Sequence, residues 1–286
     1  MKSVLIDRGI VVTMDPARRI IQQGAVLMER DTIVAVGDAY DLRQKYPDAE
    51  RIDARNKVIL PGLIDTHVHL SEHIVRGLIP DDAPDWMAGW LLPVYSSLTA
   101  EDEYISSLLA FIEMIKTGTT TFCEAGTCIH LEPVLQSMPE TGIRGILGKW
   151  TWDLPQAPEA MRQTTDQALK ANEEVLTRIK RLANDKITAW PLLLGMGTAS
   201  DKLMVGAKRL AEEQGVGVGM MHSSSIPSME NRGKIQPLRH FEEIGFLDRN
   251  LKLTHMVYLE ENEMDLLKRH EVKISHCPTA AMKHCK

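Results

Sequence analysis

"LPGLIDTHVHLSEH", from Leu60 to His73, sets three histidines, an aspartate and a glutamate directly behind a Pro-Gly turn. The apolar residues leading into it read as a strand. His67 and His69 close that strand two residues apart, so their imidazoles share one face. Each buried imidazole needs a polar partner, and a divalent cation serves both at once.

Working outward, the chain changes texture at this stretch. Before it, "SVLIDRGIVVTMD", "GAVLMERDTIVAVG" and "RIDARNKVIL" are short β-rich runs separated by turn residues such as Asp15-Pro16 and Gly37-Asp38. They predict a small antiparallel sheet over residues 1–59, a β-sandwich portion. Residues 60–286 alternate strand-like and helix-like segments. The predicted strands are 63–70, 119–124, 143–150, 187–194, 216–222, 251–256 and 272–276. The predicted helices are 100–116, 131–139, 157–182, 202–214, 237–244 and 261–270, several stopped by glycine, as in "KTGTTT" and "EQGVGV". Such alternation implies right-handed βαβ units and a parallel sheet. The expected fold class is therefore α/β, a (β/α)8 TIM-type barrel with about seven of its eight units present.

Composition narrows the function classes. The chain has 286 residues, 44% hydrophobic and 25% charged, with a net charge of −6. That acidic balance excludes an ordinary nucleic-acid binder, and no apolar run approaches the ~20 residues of a membrane helix. "MKSVLIDRGIVVTMD" breaks its apolar run at Asp7 and Arg8 and reads as a strand, not a signal peptide. Cys123, Cys128, Cys277 and Cys285 form neither a zinc-type pair nor a disulfide framework. The expected setting is cytoplasmic and the expected partner a small-molecule substrate.

Functional groups of a parallel barrel gather at the C-terminal ends of its strands. His222 closes "VGVGMMH", His255 falls in "LKLTHM" and His276 closes the last predicted strand. Together with His67 and His69, His222 and His255 predict a mononuclear site open to water on one side. Imidazole donors favour Zn²⁺ first and Fe²⁺ second. His73, His130, His240 and His270 read instead as loop or solvent-facing residues.

"VILPGLIDTHVHL", "DWMAGWLLPVY", "AFIEMIKTGTTTF", "GVGVGMMH", "LTHMVYLEENEMDLL" and "VKISHCPTAAMK" follow one another in an order that resembles the amidohydrolase superfamily. The resemblance is to the branch containing cytosine and guanine deaminases, adenosine-derivative deaminases and s-triazine hydrolases. It implies a metal-dependent hydrolase that uses activated water on carbon–nitrogen bonds of a small cyclic or heteroaromatic substrate. It implies His67, His69 and His222 as metal ligands. His255 becomes a ligand or the catalytic group that orients the water. Trp86 and His276 are placed near the substrate, and homodimers are a possibility carried by analogy.

Three departures stand against that pattern. Ser225 occupies the place of a glutamate that shuttles protons, and a serine cannot do so near neutral pH without an activating partner. Tyr258 replaces a frequent second histidine. The expected strand-8 aspartate does not occur before Lys286, so the sequence is expected to be C-terminally truncated. Two other readings follow from these departures. One is a hydrolase that removes halide, thioether or alkylamine from a heterocycle or opens an amide. The other is an inactive remnant or binding protein.

Overall fold

Buried and half-buried residues alternate along Ser3–Val12, which makes β1 a strand with one face in a core. In this computed structural model, residues 3–80, 83, 86–155, 163–195, 197–222 and 238–283 are described, the side chains of 86–88 excepted. Two units divide the chain, Met1–Leu63 and Ile64–Lys286.

In the first unit β1 pairs antiparallel with β2 (Ile20–Glu29), and β2 antiparallel with β3 (Thr32–Asp38). The sheet is nevertheless mixed, not wholly antiparallel as expected. β4 (Glu50–Asp53) and β5 (Val58–Ile59) both run parallel to β1. The physical reason is an unpredicted helix, α1 (Ala39–Lys45), which supplies the crossover that a parallel pairing requires. Asp38, read from the sequence as a turn residue, is its N-cap and accepts from the amides of Tyr40 (2.8 Å) and Asp41 (3.4 Å). Leu5, Ala25, Leu27, Ala39 and Leu42 form the core of this unit.

The second unit strings parallel strands in chain order. They are β6 (Leu63–Val68), β7 (Thr119–Glu124), β8 (Arg144–Leu147), β9 (Trp150–Thr151), β10 (Ile187–Ala189), β11 (Leu192–Leu193), β12 (Val218–His222), β13 (Leu251–His255) and β14 (Lys273–Ser275). β8 and β9 are two halves of the predicted third strand, interrupted at Gly148-Lys149. β10 and β11 are halves of the fourth, interrupted at Trp190-Pro191, where proline has no N–H for the ladder. The ladders run β10-β8-β7-β6 and β14-β13-β12-β11-β9, so the broken strands carry one sheet into the next. Seven successive strand positions result, the order of a (β/α) barrel. No ladder joins β14 to β6 among the described residues, although Thr66 Oγ1 and Ser275 Oγ lie 2.6 Å apart.

Helices α2 (Leu92–Ser97), α3 (Ala100–Lys116), α4 (Leu131–Thr141), α5 (Thr165–Lys180), α6 (Asp201–Gln214), α7 (Leu238–Glu243), α8 (Glu261–Arg269) and α9 (Pro278–Lys283) alternate with these strands. Capping boxes start α3 (Thr99 with Asp102) and α5 (Thr164 with Gln167). Phe111, Phe122, Val134, Leu147 and Ile179 fill one layer between strands and helices. Leu203, Met220, Phe241, Phe246 and Leu253 fill the other. Among the described residues no helix is long and apolar enough to cross a membrane.

Candidate metal centre

His67 faces the inside of the strand ring, where it lines a narrow cavity with Glu124, Leu192, Lys252 and Thr254. His69 follows the end of β6 in extended conformation and caps the 3-10 turn Leu70–Val75. The two Nε2 atoms lie 3.1 Å apart, with ring centroids 4.8 Å apart and planes nearly perpendicular.

His255 reaches this pair by a departure from regular geometry. Simple alternation along β13 groups it with Leu251 and Leu253, which pack in the outer core. The backbone instead turns left-handed at His255 (φ 75°) and Met256 (φ 48°). Such non-glycine conformations cost roughly 1–3 kcal/mol each and cluster at functional sites. Here the turn sets the His255 ring 5.1 Å from that of His67. His276 is exposed, and its Nδ1 donates to the His255 carbonyl at 2.8 Å, so it braces that turn from outside.

His222 pairs in register with His255, and its carbonyl accepts the Met256 amide at 3.1 Å. Its ring lies against Phe241, 5.2 Å between centroids. Thus the structure gathers His67, His69 and His255 closely and sets His222 on the adjacent strand end. Among the described residues no three His, Cys, Asp or Glu side chains are already arranged around one ion. Trp86 opens the π-helical turn Trp86–Leu91, and its side chain lies outside the described residues, as does Ser225.

The donor chemistry fits a divalent cation. Two imidazoles on a tetrahedral ion at Zn–N of about 2.0–2.1 Å hold their nitrogens about 3.3 Å apart, close to the observed His67–His69 separation. Burial, then the neighbouring His69, His255 and Lys252, pushes the His67 pKa down to about 2. Burial alone pushes His222 down to about 4. Both rings are therefore neutral near pH 7, the state a ligand needs.

The same shifts predict how metal-free protein responds to acid. The unfolded chain protonates these histidines below about 6.5, whereas the folded chain resists until much lower pH. Their stabilising contribution is complete above pH 6.5 and is lost as pH falls, toward about 4 for His222 and toward about 2 for His67. Urea midpoints of metal-free protein are expected to fall over that window; a flat profile would contradict these buried neutral rings.

Aromatic and carboxylate groups surround the histidines. Trp150 sits edge-on to His69 at 5.5 Å, with Tyr95 and Trp152 at 6.2 and 6.5 Å from Trp150. Gly126, at φ 110°, accepts the Trp150 amide on its carbonyl (2.8 Å), and a Cβ there would collide with the indole. Fully buried Glu103, on α3, accepts from Ser71 Oγ (2.5 Å) and from the amides of Ile129 (3.0 Å) and His130 (3.3 Å). Glu124, also fully buried, accepts from the Thr127 amide (3.0 Å), the Thr127 hydroxyl (2.5 Å) and the Gly126 amide; burial raises its pKa. Glu103 ties the turn after β6 to the loop after β7, and Glu124 folds that loop on itself. A buried acid on a helix leaves no distinctive spacing in a sequence, which is why Glu103 was not anticipated; Glu124, at the end of a predicted strand, is legible there only as a residue that could line the pocket. His130, His240 and His270 are not free solvent-facing rings: they contact Leu98 O (3.1 Å), Asp201 (2.8 Å) and Glu242 (2.9 Å).

The fold and this cluster define a class: residues 58–286 match the Amidohydrolase family, and the chain belongs to it. Residues 24–49 match an imidazolonepropionase-like composite domain of bacteria. Among curated proteins, the 5'-deoxyadenosine deaminase of Methanobrevibacter smithii is 32% identical over 265 residues, covering 91% of this chain and 59% of that protein. The chain spans 59–64% of the length of the curated relatives it matches. Among solved structures, a triazine hydrolase from Arthobacter aurescens superposes with a TM-score of 0.84 at 18% identity, covering 99% of this chain and 67% of that one. An adenosine deaminase from Xanthomonas campestris with bound zinc superposes at 0.82 and 23% identity, covering 99% and 64%. At these identities the superpositions establish the barrel fold.

Proposed function

We propose that this chain forms the catalytic barrel of a metal-dependent hydrolase that releases ammonia from a small heteroaromatic amine of the adenine-nucleoside type. The observation that carries the reading is the convergence of His67, His69 and His255 at one end of the parallel strands, with His222 beside them. The kinship with 5'-deoxyadenosine deaminase supports the substrate class.

His67, His69 and His222 would hold the ion, Zn²⁺ first and Fe²⁺ second. When bound, such an ion lowers the pKa of a water toward neutrality. His255, held by its left-handed turn and by His276, orients the attacking water and stabilises charge that develops on the substrate ring. Trp150, Tyr95 and Trp152 are buried together beside His69, where they back the wall of the site and keep bulk water from the reacting carbon.

Ser225, in the place of the expected glutamate, favours a second reading in which the leaving group is halide, thioether or alkylamine; halide and thiolate depart as anions and need little proton delivery. One experiment separates the two. Zinc-loaded protein is incubated with 5'-deoxyadenosine and with chloro- and alkylamino-triazines, and ammonia, chloride and amine are measured. Ammonia equal to substrate consumed supports deamination. Chloride or amine without ammonia supports the second reading, and no turnover of either set by metal-replete protein refutes both.

A further inference from the structure

We propose that Glu72 is a positioning residue that sets the tautomer of His69, and that the Tyr95 hydroxyl anchors Glu72 for this task. The inference rests on the reading of His69 as a metal ligand, and it concerns which ring nitrogen is left free to serve.

The local fold explains how the three groups meet. His69 precedes the 3-10 turn, and the Glu72 amide donates to the His69 carbonyl at 3.3 Å, which folds the Glu72 side chain back over the imidazole. Glu72 Oε1 stands 3.3 Å from His69 Nδ1. That nitrogen is buried and has no aligned hydrogen bond among the described residues, so Glu72 is the acceptor within reach. The same Oε1 accepts a hydrogen bond from the Tyr95 hydroxyl. Tyr95 is 1% exposed, and burial followed by the Glu72 charge raises its pKa well above the ordinary value, so it stays a donor. Trp150 closes the other side of the His69 ring.

A neutral imidazole carries one N–H. With a carboxylate beside Nδ1, the proton belongs there, and Nε2 turns its lone pair toward His67 Nε2, 3.1 Å away. In metal-free protein His67 Nε2–H then fills that gap. An ion entering the gap meets a His69 already in the required tautomer. Carboxylates in this role commonly change metal affinity by about 10–100-fold when removed.

The test uses full-length, metal-free protein with ¹⁵N-labelled histidine rings. The His69 signals are assigned by their loss in His69→Ala. Wild type is expected to show the Nδ1–H tautomer. Glu72→Ala, and the isosteric Glu72→Gln whose amide offers a donor as well as an acceptor, are expected to show a mixture with Nε2–H. Tyr95→Phe is expected to fall between. In parallel, Co²⁺ affinity read from visible absorption should weaken about 10–100-fold in Glu72→Ala. An Nε2–H tautomer in wild type, or a tautomer population unchanged in both Glu72 variants, would overturn the assignment. If wild type binds no Co²⁺ yet His69 changes tautomer as expected, the metal reading fails and the role of Glu72 in setting the ring stands.

Discussion

His67→Ala is expected to take the protein from about one equivalent of tightly bound divalent metal to less than one tenth, and to abolish hydrolysis with it. The expectation rests on position. His67 is the ring that both His69 and His255 approach, at 4.8 and 5.1 Å between centroids. Its removal opens the centre of the cluster, whereas loss of a ring at the edge leaves two neighbours in place. Removing a group that only supports a ligand already costs about 10–100-fold in affinity, and removing the ligand itself should exceed that. Metal analysis after dialysis against a weak chelator, with turnover on the same sample, measures both. Metal content and turnover unchanged in this variant would eliminate the proposed site. His130→Ala, far along the chain on the α4 cap, serves as the comparison and should leave metal content unaltered.

The second large effect concerns stability. Glu103→Ala is expected to destabilise the second unit by about 2–4 kcal/mol, because it strands the Ile129 and His130 amides without their acceptor, while the Ser71 hydroxyl keeps the Thr127 carbonyl at 2.8 Å. Each buried polar group left unpaired costs about 1–3 kcal/mol. Alanine is the better helix former, but that gain on α3 is below about 1 kcal/mol and does not offset the loss. Urea unfolding of wild type, Glu103→Ala and Glu103→Gln would measure it, with glutamine keeping one acceptor and losing about half as much. A loss under about 1 kcal/mol in the alanine variant would show that this network does not hold the turn after β6 to the loop after β7.

These two sites also mark where the sequence was readable and where it was not. The strands at 63–68, 119–124 and 251–255 were legible because short apolar runs ended in glycine or polar punctuation. Helix α3 was legible to its ends because Thr99 and Gly118 bracket its period. Strand direction was not: "RIDARNKVIL" has the same pattern whether it pairs parallel or antiparallel, and only α1 decides between them. His67 and His69 were legible as a pair because alternation fixes their common face. The way His255 joins them was hidden, since alternation assigns it outward and the left-handed turn at His255 and Met256 reverses that. Glu72 lay in plain view in "HLSEH", but its partner Tyr95 is 23 residues away and no local spacing connects them.

Anomalous diffraction from crystals of the zinc-loaded protein, collected on both sides of the zinc absorption edge, tests the central claim most directly. One strong peak is expected at the C-terminal end of β6, about 2.0–2.1 Å from Nε2 of His67 and His69, with the His222 ring swung from Phe241 to complete the set. A zinc peak remote from His67 and His69, or none there in protein that analysis shows to be loaded, would contradict it.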